Sequence, residues 1–312
     1  MSEARTITNL IGDDVGDFFP RFERFDLTAG DGVRIHGVKA GSGPPVLLLH
    51  GHPQSHSTWH RVAPALVDAG YSVVAADLRG YGDSSRTPGG DNHHNYSKRI
   101  MAGDQVAVMR ALGHPQFSVV GHDRGGRVAH RMALDNPGVV TRLAVLDIAP
   151  TATMYARTNR EFATRYFWWF FLIQPAPLPE QLIGADPEFF LRHHLNGQSR
   201  TAGVPSEVLI REYLRCYRLP GTIHAICEDY RAAVSIDLTH DAADAGRRLA
   251  MPLLALWGAK GVVGELYDVL DTWREKAENV QGIALDCGHS LQEEAPRETS
   301  ALLIDFLAGK PQ

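Results

Sequence analysis

The chain is 312 residues long, 44% hydrophobic and 21% charged, the composition of a globular protein with material for a large core. Its net charge of -5 is spread as interspersed signs with no polybasic block, which excludes a nucleic-acid or anionic-lipid face and leaves a small molecule as the expected partner. Three scattered cysteines, Cys216, Cys227 and Cys287, form no C-x-x-C pair and argue against both a disulfide framework and a zinc site.

In chain order, the N-terminal stretch from Met1 to Asp14 lacks an apolar core of signal-peptide length. No later run reaches the roughly 18 apolar residues of a membrane span. A cytoplasmic protein without membrane association is the expectation. Four short apolar runs follow: Val46 to Leu49, Ser72 to Ala76, Phe117 to Val120 and Leu143 to Leu146. Continuous apolarity without alternation marks strands covered on both faces, as in a parallel sheet built from strand-helix units. Leu253 to Trp257 adds a fifth strand, Val280 to Leu285 a weaker sixth, and Pro296 to Leu307 a closing amphipathic helix. Between about Thr151 and Arg248 the strand rhythm gives way to aromatic-rich and Arg-rich helical sequence. The expected fold is α/β, a mostly parallel central sheet flanked by helices. Residues 1–150 and 249–312 would form the core domain and 151–248 an inserted helical cap.

The third strand runs directly into Gly121-His122-Asp123-Arg124-Gly125-Gly126 and then into a helical stretch from Val128. This is the G-x-nucleophile-x-G turn of the α/β-hydrolase fold, in which small neighbours let strand and helix pack closely while the central side chain points outward. A Gly-rich turn alone would carry no function. Here the central residue is Asp123, and a carboxylate, ionised at neutral pH, can attack a saturated carbon and form a covalent ester. Its partners on this fold follow in the order acid, then histidine. His289, in Cys287-Gly288-His289-Ser290 after the last strand, is the expected base, directing water onto the ester. The residues after Trp257 contain no nearby carboxylate, with Glu265 and Asp268 arriving late, so Asp147 at the end of the preceding strand is the expected acid. The segment Leu49-His50-Gly51-His52-Pro53 would aim the backbone N–H of His52 at an oxyanion, with the N–H of Arg124 as second donor. Asp77 to Ser84 lacks the spacing of a phosphate loop and is given a structural role.

The segments HGHPQSHSTWHRVAP, DLRGYGDSS, GHDRGGR, LAVLDIAPT, QPAPLPE, CEDYRA, LALWGAKG and CGHSLQEEAP together resemble the haloacetate dehalogenases of the fluoroacetate type, from about Pro44 to the C-terminus. GHDRGGR is the most specific of them, with Arg124 where related Asp-nucleophile enzymes usually carry Trp. The resemblance implies that Arg124 and Arg127 hold the substrate carboxylate, a task suited to guanidinium groups that form forked, charge-assisted hydrogen bonds. It also implies three cap donors to the departing halide. Trp169 and Tyr230 match two of them, while Trp168 stands at the family's histidine position. An indole there is bulkier than an imidazole, which places fluoride release in question and favours larger halides. A homodimer is implied by the resemblance alone, and neither metal nor organic cofactor is called for.

Three functions compete. The first is hydrolytic dehalogenation of a short 2-haloacid. The second is an epoxide hydrolase with the same Asp-His machinery, using Tyr230 with Tyr213 or Tyr217 as alkoxide donors. The third is a non-catalytic protein of this fold that binds small acids. The paired arginines favour the first.

Overall fold

The computed structural model describes residues 17–310, so the N-terminal stretch read above for a leader lies outside the described residues. Eight strands form the central sheet: β1 (Glu23–Thr28), β2 (Arg34–Ala40), β3 (Pro45–Leu49), β4 (Ser72–Ala76), β5 (Phe117–His122), β6 (Val140–Leu146), β7 (Leu253–Gly258) and β8 (Val280–Leu285). Their order is β1-β2-β4-β3-β5-β6-β7-β8. The two pairings at the β1 edge are antiparallel and the other five are parallel.

The six strands expected from apolar runs are all present, and their apolarity has the expected cause. Alternate residues enter two separate buried clusters: Leu47, Val74, Val119 and Val145 on one face, Val46, Val73, Val120 and Ala144 on the other. Strands β1 and β2 were not anticipated. They form the sheet's antiparallel edge, where β1 buries only Phe25 and β2 only Ile35, Gly37 and Val38, so no continuous apolar run announces them. The signal was present as Asp31-Gly32 between two alternating stretches, where Gly32 takes a positive φ of 83°. The weakness of β8 also has a reason, because it is the other edge and Ile283 lies half exposed. The closing helix, Pro296–Leu307, seats Leu303 and Phe306 in the second cluster.

Between β6 and β7 the described residues contain eight helices and no strand of the sheet, from Thr151–Ala156 to Ile236–Ala243. Several start where the sequence supplies a cap: the side chains of Asn159, Asp186 and Ser206 accept from the backbone N–H of Phe162, Phe189 and Leu209. Buried polar contacts join this helical stretch to the strand ends. Tyr81 donates to Asp229 at 2.7 Å, Tyr213 donates to Glu293 at 2.7 Å, and the N–H of His289 donates to the carbonyl of Gln198 at 3.3 Å. No described helix is long and apolar enough to cross a membrane.

Candidate active site

The turn after β5 is tightly constrained. Asp123 sits at φ 44° and ψ -113°, a left-handed conformation that costs on the order of 1–3 kcal/mol in a non-glycine residue and persists only where its surroundings enforce it. The helix Arg124–Asp135 starts directly after it. Close approach is what the flanking glycines permit: a Cβ on Gly125 would lie 2.5 Å from the carbonyl oxygens of Leu49 and His50, and one on Gly51 would lie 2.6 Å from Cβ of Asp123. A second strained residue, Asp147 at φ 50°, ends β6.

These two turns bring the expected triad members together. Nδ1 of His289 is 2.6 Å from Oδ2 of Asp147, and Oδ1 of Asp147 accepts from the N–H of Gly258 at 2.9 Å. The last residue of β7 thus contributes a backbone donor to the carboxylate that follows β6. Burial alone would lower the pKa of His289, but the hydrogen bond and charge of Asp147 and the charge of Asp123 outweigh it and raise the pKa. Burial alone would raise that of Asp123, but His289, Arg127 and Arg124 together hold it below the ordinary value, so this buried carboxyl stays ionised. The backbone N–H of His52 donates to Oδ2 of Asp123 at 3.1 Å. Arg124 is the residue after Asp123 and the first of the helix.

The two arginines differ more than their spacing suggests. Nε and Nη2 of Arg124 grip the carboxylate of Asp229 at 2.7 and 2.9 Å, Nη2 also reaches the Asp229 carbonyl at 2.8 Å, and the guanidinium lies 4.2 Å over the Tyr230 ring. Only Nη1 is left without a partner. Asp229 is shared with Lys98 and Tyr81, and Lys98 also pairs with Asp237, so two cations balance two anions. Arg127 is different. Its Nη1 donates to the Ala149 carbonyl and the Thr151 hydroxyl, Nη2 points at the Met154 sulfur, and Nε has no partner. Among the described residues no carboxylate forms an ion pair with it, although it is only 4% exposed. Burial pulls its pKa down, with the charge of Asp123 opposing.

Of the three aromatic residues expected on the halide side, two lie against the arginines: Trp169 under Arg127 at 4.8 Å, and Tyr230 under Arg124. The ring of Trp168 packs instead on Tyr166, Phe167 and His194, at 4.7, 5.7 and 4.5 Å. Of the two tyrosines considered as a second alkoxide donor, Tyr213 is taken up by Glu293, while the buried hydroxyl of Tyr217 is free.

Several site residues were missed in the sequence. Asp229 stood in the quoted CEDYRA segment, but its contact with Arg124 joins positions 105 residues apart. His122, the x of the turn, links Gln54 at 3.1 Å to the carbonyl of His289 at 2.9 Å. Gln54 in turn donates to Glu293 at 2.7 Å, whose pKa burial pushes up to about 7. Local sequence could not have shown this chain of contacts.

A strained carboxylate on a strand-to-helix turn, with an Asp-His pair from later strand ends, defines a class. Residues 44–296 match the alpha/beta hydrolase fold family, and the chain belongs to it. The likeness to haloacetate dehalogenases extends over nearly the whole length: the chain is 46% identical over 292 residues to a fluoroacetate dehalogenase from Burkholderia sp, covering 93% of this chain and 95% of that one. It is 37% identical over 285 residues to a soluble epoxide hydrolase from Corynebacterium sp. strain C12, covering 89% of this chain and 95% of that one. A solved structure from Nostoc sp PCC 7120, assigned to the alpha/beta hydrolases, matches with a TM-score of 0.91 and 55% identity, covering 93% of this chain and 99% of that one.

Proposed function

We propose that the protein hydrolyses short 2-haloacids to 2-hydroxyacids and halide through an ester on Asp123. The observation that carries the reading is Arg127, a buried cation beside the ionised carboxylate of Asp123 that, among the described residues, has no carboxylate ion pair and only the Ala149 carbonyl, the Thr151 hydroxyl and the Met154 sulfur as partners. A buried unpaired charge is costly, and a small anionic substrate would supply the missing partner. Bound there, with Nη1 of Arg124 as a further donor, a haloacetate would place its α-carbon within reach of Asp123.

In the first step an Asp123 oxygen attacks the α-carbon and the carbon-halogen electron pair leaves with the halide. In the second, His289 takes a proton from water, the hydroxide adds to the ester carbonyl of Asp123, and the oxyanion is held by the N–H groups of His52 and Arg124. Collapse of the adduct breaks the acyl C–O bond, the 2-hydroxyacid leaves with the proton returned by His289, and the Asp123 carboxylate is restored. Asp147 orients His289 and stabilises its charged form. The helices of the 151–248 stretch act as the cap that closes the pocket over the acid.

In a His289→Ala variant the first step survives and the second does not. Incubated with chloroacetate and examined by mass spectrometry, that variant is expected to carry a carboxymethyl group on Asp123. Unmodified protein under conditions where wild type releases chloride would overturn the ester route.

The epoxide-hydrolase reading draws support from the free hydroxyl of Tyr217, which could join Tyr230 in protonating an alkoxide. Against it stands Arg127, which a neutral epoxide leaves unpaired. Halide release measured beside diol formation on one substrate panel separates the two.

A further inference from the structure

Two buried imidazoles beside Asp123 are unaccounted for by the chemistry above, which uses only the backbone of His52 and no atom of His194. The ring of His52, 1% exposed, has both nitrogens without a partner. His194, 5% exposed and on the helix Pro187–Gln198, has Nδ1 free while Nε2 meets the side-chain amide of Gln198 at 2.6 Å. The two rings pack edge to face at 4.7 Å. Around them stand Tyr230 at 5.5 Å from His52 and Trp168 at 4.5 Å from His194.

Three buried ring nitrogens left without partners in one place are unusual, because each such group costs on the order of 1–3 kcal/mol. A bound acceptor would partner one N–H on each ring and remove part of that cost. Burial keeps both imidazoles neutral, that of His52 with its pKa pushed down to about 3 and that of His194 well below the ordinary value. A neutral imidazole with both nitrogens free can present an N–H from either one by choice of tautomer. With Gln198 donating to Nε2, the proton of His194 sits on Nδ1, the free position. The pair is anchored beside the nucleophile, since the N–H of His52 donates to Asp123.

We propose that His52 and His194 are specificity-determining residues that donate hydrogen bonds to the departing substituent on the substrate's α-carbon. The inference rests on the dehalogenase reading and adds to it the donors that set which halide can leave. As the Asp123 oxygen forms its bond, the carbon-halogen pair departs as halide. The imidazoles give hydrogen bonds without giving up a proton, so they are neutral before and after the step. Their contribution grows as the halide becomes smaller and a stronger hydrogen-bond acceptor.

The test compares wild type with His52→Phe and His194→Phe, which keep a ring and remove its nitrogens, on fluoroacetate, chloroacetate and bromoacetate. For each variant, kcat/KM is expected to fall at least tenfold more on the lightest haloacetate that wild type dehalogenates than on bromoacetate. An equal fall on all of them would mean that the rings only support the pocket, and would overturn the proposal while leaving the dehalogenase reading intact. Where a phenylalanine variant does not fold, His52→Gln and His194→Asn return an amide N–H, and their halide preference should stay within threefold of wild type. A larger change counts against the proposal. Wild-type protein that releases no halide from any of the three overturns the function itself.

Discussion

On the strand side of the site, the proposed nucleophile and its partners are held by neighbours. Asp123 accepts from His52, Asp147 from both His289 and Gly258, and Arg124 is locked to Asp229. On the helical side Asp229 and Tyr213 are held in the same way, but other polar groups are left open: among the described residues Nδ1 of His194 and the hydroxyls of Tyr155 and Tyr217 have no partner, and the ring of His52 meets His194 equally open from the strand side. The difference is physical. Reacting groups need one geometry and a fixed ionisation state, whereas groups that recognise a ligand keep their hydrogen-bonding capacity unspent until it arrives. Arg127 lies at the junction, on a core helix but against Thr151, Met154 and Trp169 of the helical stretch.

Four measurements would break or sharpen that contrast. Replacing Asp123 with alanine should lower halide release by roughly 10⁴-fold or more, since the remaining groups only bind and orient. Residual turnover near the wild-type rate would mean that another group attacks. Next, the rate of ester breakdown is expected to fall as pH drops through the raised pKa of His289, because only the neutral imidazole accepts a proton from water. Asp147→Asn removes the main cause of that shift, so its limb should move to lower pH on a plateau reduced by about 10²- to 10⁴-fold. An unmoved limb in stopped-flow single-turnover traces would show that some other group titrates.

The arginines should then separate. Arg127→Met should cost about 2–5 kcal/mol of transition-state binding, roughly 30- to several-thousand-fold in kcat/KM, with little loss of stability. Arg124→Met leaves Asp229 with one cation fewer and should lower stability by about 3–5 kcal/mol in denaturant unfolding. Equal stability losses would erase the distinction drawn between them. The smallest effect belongs to Glu293, whose pKa rises from 4.5 in the unfolded chain to about 7 in the fold. The unfolded state therefore loses its proton first, and stability should decline as pH rises from about 4.5 to about 7, by up to about 3 kcal/mol at about 1.4 kcal/mol per unit. Glu293→Gln should flatten that slope in melts taken across the window.

Much of this was legible beforehand because it is local. A doubly covered strand needs an unbroken apolar run, and a sharp strand-to-helix turn needs small residues beside its central side chain, so β3 to β7 and the Asp123 turn can be read directly, while the edge strand β8 gave a weaker signal. The edge hairpin of β1 and β2 was harder, because one-sided burial leaves alternation that polar residues dilute. The placement of Asp147 was legible in part, from the absence of a carboxylate after Trp257. Contacts across long separations were not legible: Arg124 with Asp229, Gln54 with Glu293, and His52 with His194.

By itself, the sequence determined the sheet's inner strands and singled out the proposed nucleophile and the residues proposed to serve it, because each depends on neighbours within a few positions. Only the tertiary structure decided which arginine is already neutralised and which imidazoles remain free. Burial and partnership are properties of the space between segments, set by how the helices from Thr151 to Ala243 fold back over the ends of the strands.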